Sequence, residues 1–452
     1  MPASSSSDAD YRQFRHGAMR DVAYSLLPPS ERARLQGIAV AAVESLFEGE
    51  ALAPFVTALA GYCRLAREEG GSTAFLVRER DYTRRAAEQA KRAYDFDATE
   101  RLYLQLAEIS DAAEAGLALC AAGQACLSAG RFDRAEQQFN RVLDATEDAV
   151  VRSRALAGLG TVYKTTGRIA DAEQAFTQAI RLQRQAGERE LEAASLANLG
   201  LVYEVTGRMN EAEANLSRAL AILRDAGSPA RIPALLLNLA IVCKHTGRIE
   251  QALAQFNEAL AMFRAAGDLR GEGTALSNLG LLHHEQGRQE EALHLLKQSA
   301  ALHRQTNNRR SEAIALGNLA LVYSTTNRLQ ECEQAYLQSA AINREIGSLA
   351  GLAAVLGNLA ILRDEHGRSV EAEDLFLQAL ALHARSGNRR FEGMNRCDYA
   401  RCLLRLGRIE ESRENWRLGA AALREIGDES ELERKTRAMR KVCEAAGINA
   451  FE

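Results

Sequence analysis

Proline is scarce in this chain: six residues in 452, and none after Pro233. A proline-free stretch that long, with glycines at regular intervals, suits many short helices and excludes a loop-rich fold. Charge of one sign is also lacking, because 56 Lys and Arg nearly balance 60 Asp and Glu for a net charge of −4. No bulk electrostatic attraction to nucleic acid or to an anionic membrane follows from that balance. The eight cysteines form no CxxC pair and no zinc-ligand spacing, so they read as small buried residues of a reducing compartment, with the cytoplasm as the expected location. No apolar run is long enough for a membrane helix. The start, MPASSSSDAD, has no basic region followed by an apolar one, so it does not read as a signal peptide.

What the chain has in quantity is repetition. A Gly-Arg pair occurs at Gly130-Arg131 and again at Gly167-Arg168. From there it recurs every 40 residues, at Gly207, Gly247, Gly287, Gly367 and Gly407, with Asn327-Arg328 filling the one gap. A fixed period of this size is the mark of a solenoid. Glycine, or asparagine in its place, is expected to end the first helix of each repeat in a left-handed turn. A second column, Gly187, Gly227, Gly267, Asn307, Gly347, Gly387 and Gly427, is expected to end the second helix.

Size alternates in register with these turns. A small residue recurs on the first helix, from Gly123 and Gly160 through Gly200, Ala240, Gly280, Ala320 and Ala360 to Ala400. Twelve residues after each comes a second small one, such as Ala172 or Ala252, and four residues later a large one, such as Phe176, Phe256 or Trp416. Small pairs let two helices approach closely, and the large side chain fills the gap to the next pair.

Leu-Gly-x-x-Tyr, then Ala, then Phe resembles the tetratricopeptide (TPR) pattern, and the match runs over residues 113–425. The resemblance implies an all-α fold, a right-handed superhelix of antiparallel helix pairs. The domain reading is a disordered start at 1–10, a divergent helical region at 11–110, an array of about eight repeats at 111–428, and a capping helix with a tail at 429–452. The longer repeat resembles that of kinesin light chains and of Leu-Gly-Asn repeat adaptors, which implies binding of extended segments of partner proteins. The run FRHGAMRDVAYSLLPPSERARL at residues 14–35 resembles the segment joining ATPase to repeats in STAND signal-transduction ATPases. A helix is expected there over Phe14–Leu26. The chain contains no GxxxxGK[ST] motif, so no triphosphate cradle accompanies that resemblance.

The candidate site is an asparagine ladder: Asn198, Asn238, Asn278, Asn318 and Asn358, closed by Asp398. Each precedes the small first-helix residue by two positions. The resemblance places first helices on the concave face. An amide there can pair with both the N–H and the C=O of an extended peptide. The competing reading is that each Asn bonds to the next repeat and sets its angle. Asn is otherwise a poor choice inside a helix. Leu201, Ile241, Leu281, Leu321 and Ile361 supply an apolar floor, and Lys164, Lys244, His284 and Asp364 a mixed rim. The neighbouring His283 is expected to pack rather than to bind a metal, and the arginine after each Gly to be a solvated structural residue. No nucleophile elbow, no HExxH and no cysteine beside a base is present, so neither enzyme activity nor a cofactor is expected. The expected role is a protein–protein scaffold that holds a peptide segment of a partner, with a regulatory sensor region of a STAND-type or cyclase-linked system as the alternative.

Overall fold

The computed structural model describes residues 24–70 and 73–451. The expected helix over Phe14–Leu26 and the expected disorder of residues 1–10 therefore fall almost entirely outside the described residues. The described chain contains helices and turns and no strand. It divides after Ser228 into two compact units.

In the first unit the helices are α1 (Pro29–Leu46), α2 (Val56–Gly70), α3 (Ala74–Arg92), α4 (Phe96–Ile109), α5 (Ala112–Ser128), α6 (Phe132–Ala145), α7 (Ala149–Thr165), α8 (Ile169–Gln185), α9 (Arg189–Val205) and α10 (Met209–Asp225). Pro29 occupies the first turn of α1, where its missing N–H costs nothing. Pro54 lies in a short 3₁₀ turn, Gly49–Phe55, that bends the chain between α1 and α2.

In the second unit they are α11 (Ile232–His245), α12 (Ile249–Ala266), α13 (Leu269–Glu285), α14 (Gln289–Gln305), α15 (Arg309–Thr325), α16 (Leu329–Glu345), α17 (Leu349–Glu365), α18 (Ser369–Ser386), α19 (Arg389–Arg405), α20 (Ile409–Glu425) and α21 (Glu429–Ala446). Most repeat helices are 17 residues long, whereas α11 has 14 because Pro233 sits in its first turn and a 3₁₀ turn at Pro229–Arg231 takes the preceding residues. Within each unit the main packing partners of a helix are the next one or two along the chain.

The turns follow the two punctuation columns. Gly167 has φ +81° and Asn327 φ +57°, and the rest of both columns is left-handed as well. After α7 the N–H of Arg168 donates to Tyr163 O at 2.8 Å and that of Gly167 to Lys164 O, which closes the helix end in a Schellman arrangement. Glycine is favoured at such φ because it has no Cβ, and asparagine tolerates it best among the others.

The core lies where the size columns meet. Ala172, Ala212, Ala252, Ala292 and Ala372 are fully buried, and Phe176, Phe256 and Phe376 are at most 1% exposed. The fit is close: a Cβ added to Gly280 would lie 2.7 Å from Leu296 Cγ, so that position excludes a side chain unless its partner moves. In the last repeat Ser412 takes the second small position and donates its hydroxyl to Ala400 O at 2.6 Å, so the polar substitute is satisfied.

Candidate functional site

The ladder residues sit on first helices, one per helix pair. In the first unit α9 carries Asn198. Its Nδ2 donates to Ala194 O one turn back at 3.1 Å, and its Oδ1 accepts from Lys164 Nζ of α7 at 3.3 Å. Both ends of this amide are spent inside the fold. Burial holds the Lys164 ammonium below the usual lysine range. Asn198 and Lys164 thus form a bond between adjacent first helices, which favours the angle-setting role at this rung.

In the second unit the rungs are Asn238 on α11, Asn278 on α13, Asn318 on α15 and Asn358 on α17. Asn318 Nδ2 donates to Ser277 Oγ of α13 at 3.2 Å, so neighbouring rungs lie side by side. Among the described residues Asn238, Asn278 and Asn358 have no side-chain partner. The first two are half-buried and Asn358 is exposed. Beside them Ile241, Leu281 and Ile361 are half-buried, as Leu201 is in the first unit, and Leu321 is 43% exposed. An apolar surface studded with unspent amides can hold an extended backbone and bury its side chains at the same time.

The rim differs from the open charged edge that the sequence suggests. Lys244 Nζ pairs with Glu285 Oε1 of the next first helix at 3.0 Å. Asp364 is not on an open rim: it is 5% exposed, accepts Ser369 Oγ at 2.7 Å on one oxygen, and pairs with Arg405 on the other. His284 is half-buried with Nδ1 2.7 Å from Gln289 Oε1. The final ladder member, Asp398, is 4% exposed and ion-paired to Lys435 of α21. The Lys244–Glu285, Arg405–Asp364 and Lys435–Asp398 pairs each span about one repeat, so these charges hold neighbouring repeats together before they meet any ligand.

The arginine column is structural but not merely solvated. The Arg208 guanidinium carbon lies 4.1 Å from the Tyr203 ring centroid, and the same stacking joins Arg168 to Tyr163 at 4.1 Å and Arg328 to Tyr323 at 4.7 Å. Arg208 also bonds Glu173 at 2.9 Å and Glu211 at 3.0 Å, and Tyr203 donates its hydroxyl to Glu173. Burial and that acceptor push the Tyr203 phenol above its ordinary range. These arginines clamp one pair to the next and leave no free anion ladder. His283 shares the tyrosine position, with Nδ1 3.3 Å from Glu291 Oε2, and burial lowers its pKa.

The sequence reading missed a cavity of about 360 Å³ in the first unit. It lies among α3 and α5–α9, and Gln183 in its wall is 1% exposed with Oε1 unbonded. The sequence carried no clear signal, because in the same register Leu223, Phe263 and Leu423 are apolar but His303, Asn343 and His383 are polar.

Among known proteins, the tetratricopeptide repeat family matches residues 151–225, 231–305 and 311–385. No curated protein matches the chain. Among solved structures it is similar to a Rap protein complexed with Competence and Sporulation Factor, at 14% identity and TM-score 0.56 over 79% of this chain and 99% of that one. The apo quorum sensor NprR from B. thuringiensis is similar at 16% identity and TM-score 0.52, covering 75% of this chain and 97% of that one. A STAND protein with a tetratricopeptide repeat sensor from Pyrococcus horikoshii is similar at 15% identity and TM-score 0.50, over 74% of this chain and 52% of that one. At such identities the likeness is one of fold.

Proposed function

We propose that this chain, a tetratricopeptide repeat protein, holds an extended or helical segment of a partner protein against the first-helix face of its second unit. One observation carries the reading: Asn238, Asn278 and Asn358 recur at one position per repeat, beside an apolar floor, with amides bonded to no other side chain among the described residues. Asn is a poor helix former, and at Asn238 and Asn278 the half-buried amide has no partner in the fold to offset that. Fold-level likeness to a Rap protein complexed with Competence and Sporulation Factor supports the same class of role. The role needs no chemical step and no cofactor. Free cysteines, seven of the eight buried, fit a reducing compartment such as the cytoplasm. Among the described residues no helix is long and apolar enough to cross a membrane.

The test replaces Asn238, Asn278 and Asn358 together by Ala. Wild type and variant are used as baits against lysate of the source cells, and the binding segment of any captured protein is then titrated as a synthetic peptide. Each lost hydrogen bond is worth ~1 kcal/mol, so three should weaken binding by a factor on the order of 100 or more while helicity is unchanged. Equal capture by bait and variant, or an unfolded variant, would return the ladder to an angle-setting role.

A second reading is a sensor region of a STAND-type system. It is favoured by the fold likeness to the Pyrococcus horikoshii STAND protein and by the residues 14–35 that resemble the ATPase–repeat junction. An ATPase or cyclase that co-purifies with the chain, and whose activity changes when the ladder is filled, would select it.

A further inference from the structure

The outer faces of α1 and α21, near the two ends of the chain, differ. α21 buries Leu432, Met439 and Cys443 and turns Glu433, Arg437, Arg440 and Lys441 to water. That is the polar finish a repeat array needs at its ends. α1 has no such finish. Its residues 37–43 are Gly-Ile-Ala-Val-Ala-Ala-Val, about two turns without a polar side chain. A helix that is apolar all round belongs inside a protein. Of those seven residues Val40 alone is buried, whereas Ile38 is 52% exposed and Ala41 and Ala42 face solvent. Leu35, one turn before, is 40% exposed. Beside Ile38 a groove of about 480 Å³ runs between α1, the end of α2 and the start of α3. Gly37, Ala41, Ala66 and Gly70 give it small walls, and Phe75 also lines it.

Large and small residues thus adjoin on one surface: Leu35 and Ile38 project, and Gly37 and Ala41 leave room. A surface that carries both the knob and the hole complements itself. Its charge agrees. Arg34 is the one charged residue that lines the groove, and it already bonds Glu31 at 3.0 Å, so two copies meet there without like-charge repulsion. We propose that α1 and the end of α2 form an isologous contact with a second copy of this chain. The two α1 helices cross antiparallel with Ile38 at the two-fold axis. Leu35 of each copy then lies opposite the partner's Ala41, and the exposed apolar turns of both helices leave water together. None of the ladder residues lies in α1 or α2, so this contact neither requires nor excludes the peptide-holding role of the second unit.

The full chain, followed by analytical ultracentrifugation up to ~100 μM, should be a dimer whose association holds or tightens at high salt. Ile38→Glu should weaken that association at least a hundredfold with the circular dichroism unchanged, because two carboxylates would meet at the axis and the position is half open to water. Ile38→Lys should do the same. Mixing the two variants should restore association, which a mere packing defect cannot do. Under oxidation the Ile38→Cys thiol should cross-link to that of the second copy, and Val205→Cys, 67% exposed at the end of α9, should not. A monomeric wild type, a dimer indifferent to Ile38→Glu, or charge variants that stay apart when mixed would each overturn the proposal. In a monomer, an Ile38→Cys thiol that resists maleimide would assign the face to another segment of this same chain, and one that reacts at once would leave it to a different protein. Both results exclude a second copy as the occupant.

Discussion

Lys435 Nζ of α21 lies 2.5 Å from Asp398 Oδ2 of α19, and each side chain is 4% exposed. The position that holds an amide in the preceding five repeats here holds a buried acid, and the last helix supplies its counter-charge. Removing Lys435 leaves the buried acid with the longer contact to Arg401 at 3.3 Å alone. Lys435→Met should therefore cost up to ~3–5 kcal/mol locally, and Asp398→Asn with Lys435→Met together less. Hydrogen exchange over α19–α21 should show the first loosening that region and the pair restoring it. Equal loss in both variants would mean that the contact packs rather than pairs.

The register of the repeats can be tested on α12. Ala252 is fully buried, Phe256 is 1% exposed, and Ala254 faces solvent. Ala252→Leu should overpack the helix pair at ~1–3 kcal/mol. Phe256→Ala should open a cavity at ~3–5 kcal/mol. Ala254→Leu should be close to neutral. Because neighbours alone are coupled in such arrays, hydrogen exchange should rise first in α11–α14 of the Phe256 variant. Uniform loss across the unit would contradict that coupling.

Asn327 stands at φ +57° where the other repeats place glycine. Asn327→Gly should leave stability nearly unchanged. Asn327→Ala puts a Cβ into the left-handed region without the local hydrogen bonding that Asn offers, at ~1–2 kcal/mol. A melting series of the three proteins decides it, and an Ala variant as stable as the wild type would show that the turn has relaxed.

Acid should destabilise the second unit through two histidines. His383 is fully buried, stacks on Phe391, and has both ring nitrogens unbonded; His303 is 2% exposed. Burial lowers both pKa values against the partial support of Glu392 at His383 and Glu312 at His303, with Arg270 lowering the latter further. A lowered folded pKa means that the unfolded chain takes up the proton first. Stability is therefore full above the ordinary histidine value of about 6.5 and falls as pH drops below it, by at most ~1.4 kcal/mol per pH unit for each group. Chemical denaturation from pH 7.5 to 5 should show this fall. His383→Leu should flatten it, and an unchanged slope would remove His383 from the account.

The helix pairs and their turns were legible in the sequence because each depends on one local requirement repeated every 40 residues: a left-handed φ at Gly207 or Asn327, a small volume at Ala252, a large one at Phe256. The rungs of the ladder were legible as positions. Their chemical state was not, because it depends on a residue of the neighbouring repeat. Lys164 engages Asn198, Ser277 engages Asn318, and Arg405 engages Asp364. A periodic column displays what its own members share and hides a partner that occurs in one repeat only. Gln183 was overlooked because polar residues recur in its column, at His303, Asn343 and His383, so one more polar member carries no signal until the space beside it is seen.

The habit of each helix of packing mainly on the next one or two has a consequence for how the protein is made. A repeat of 40 residues finds its contacts within itself and in the repeat just before it. At ~5–20 residues per second, a ribosome releases one such repeat in ~2–8 s. Helices form and dock far faster than that. The nascent chain can therefore bury each apolar face soon after it leaves the exit tunnel, with at most about one pair awaiting its neighbour at any moment.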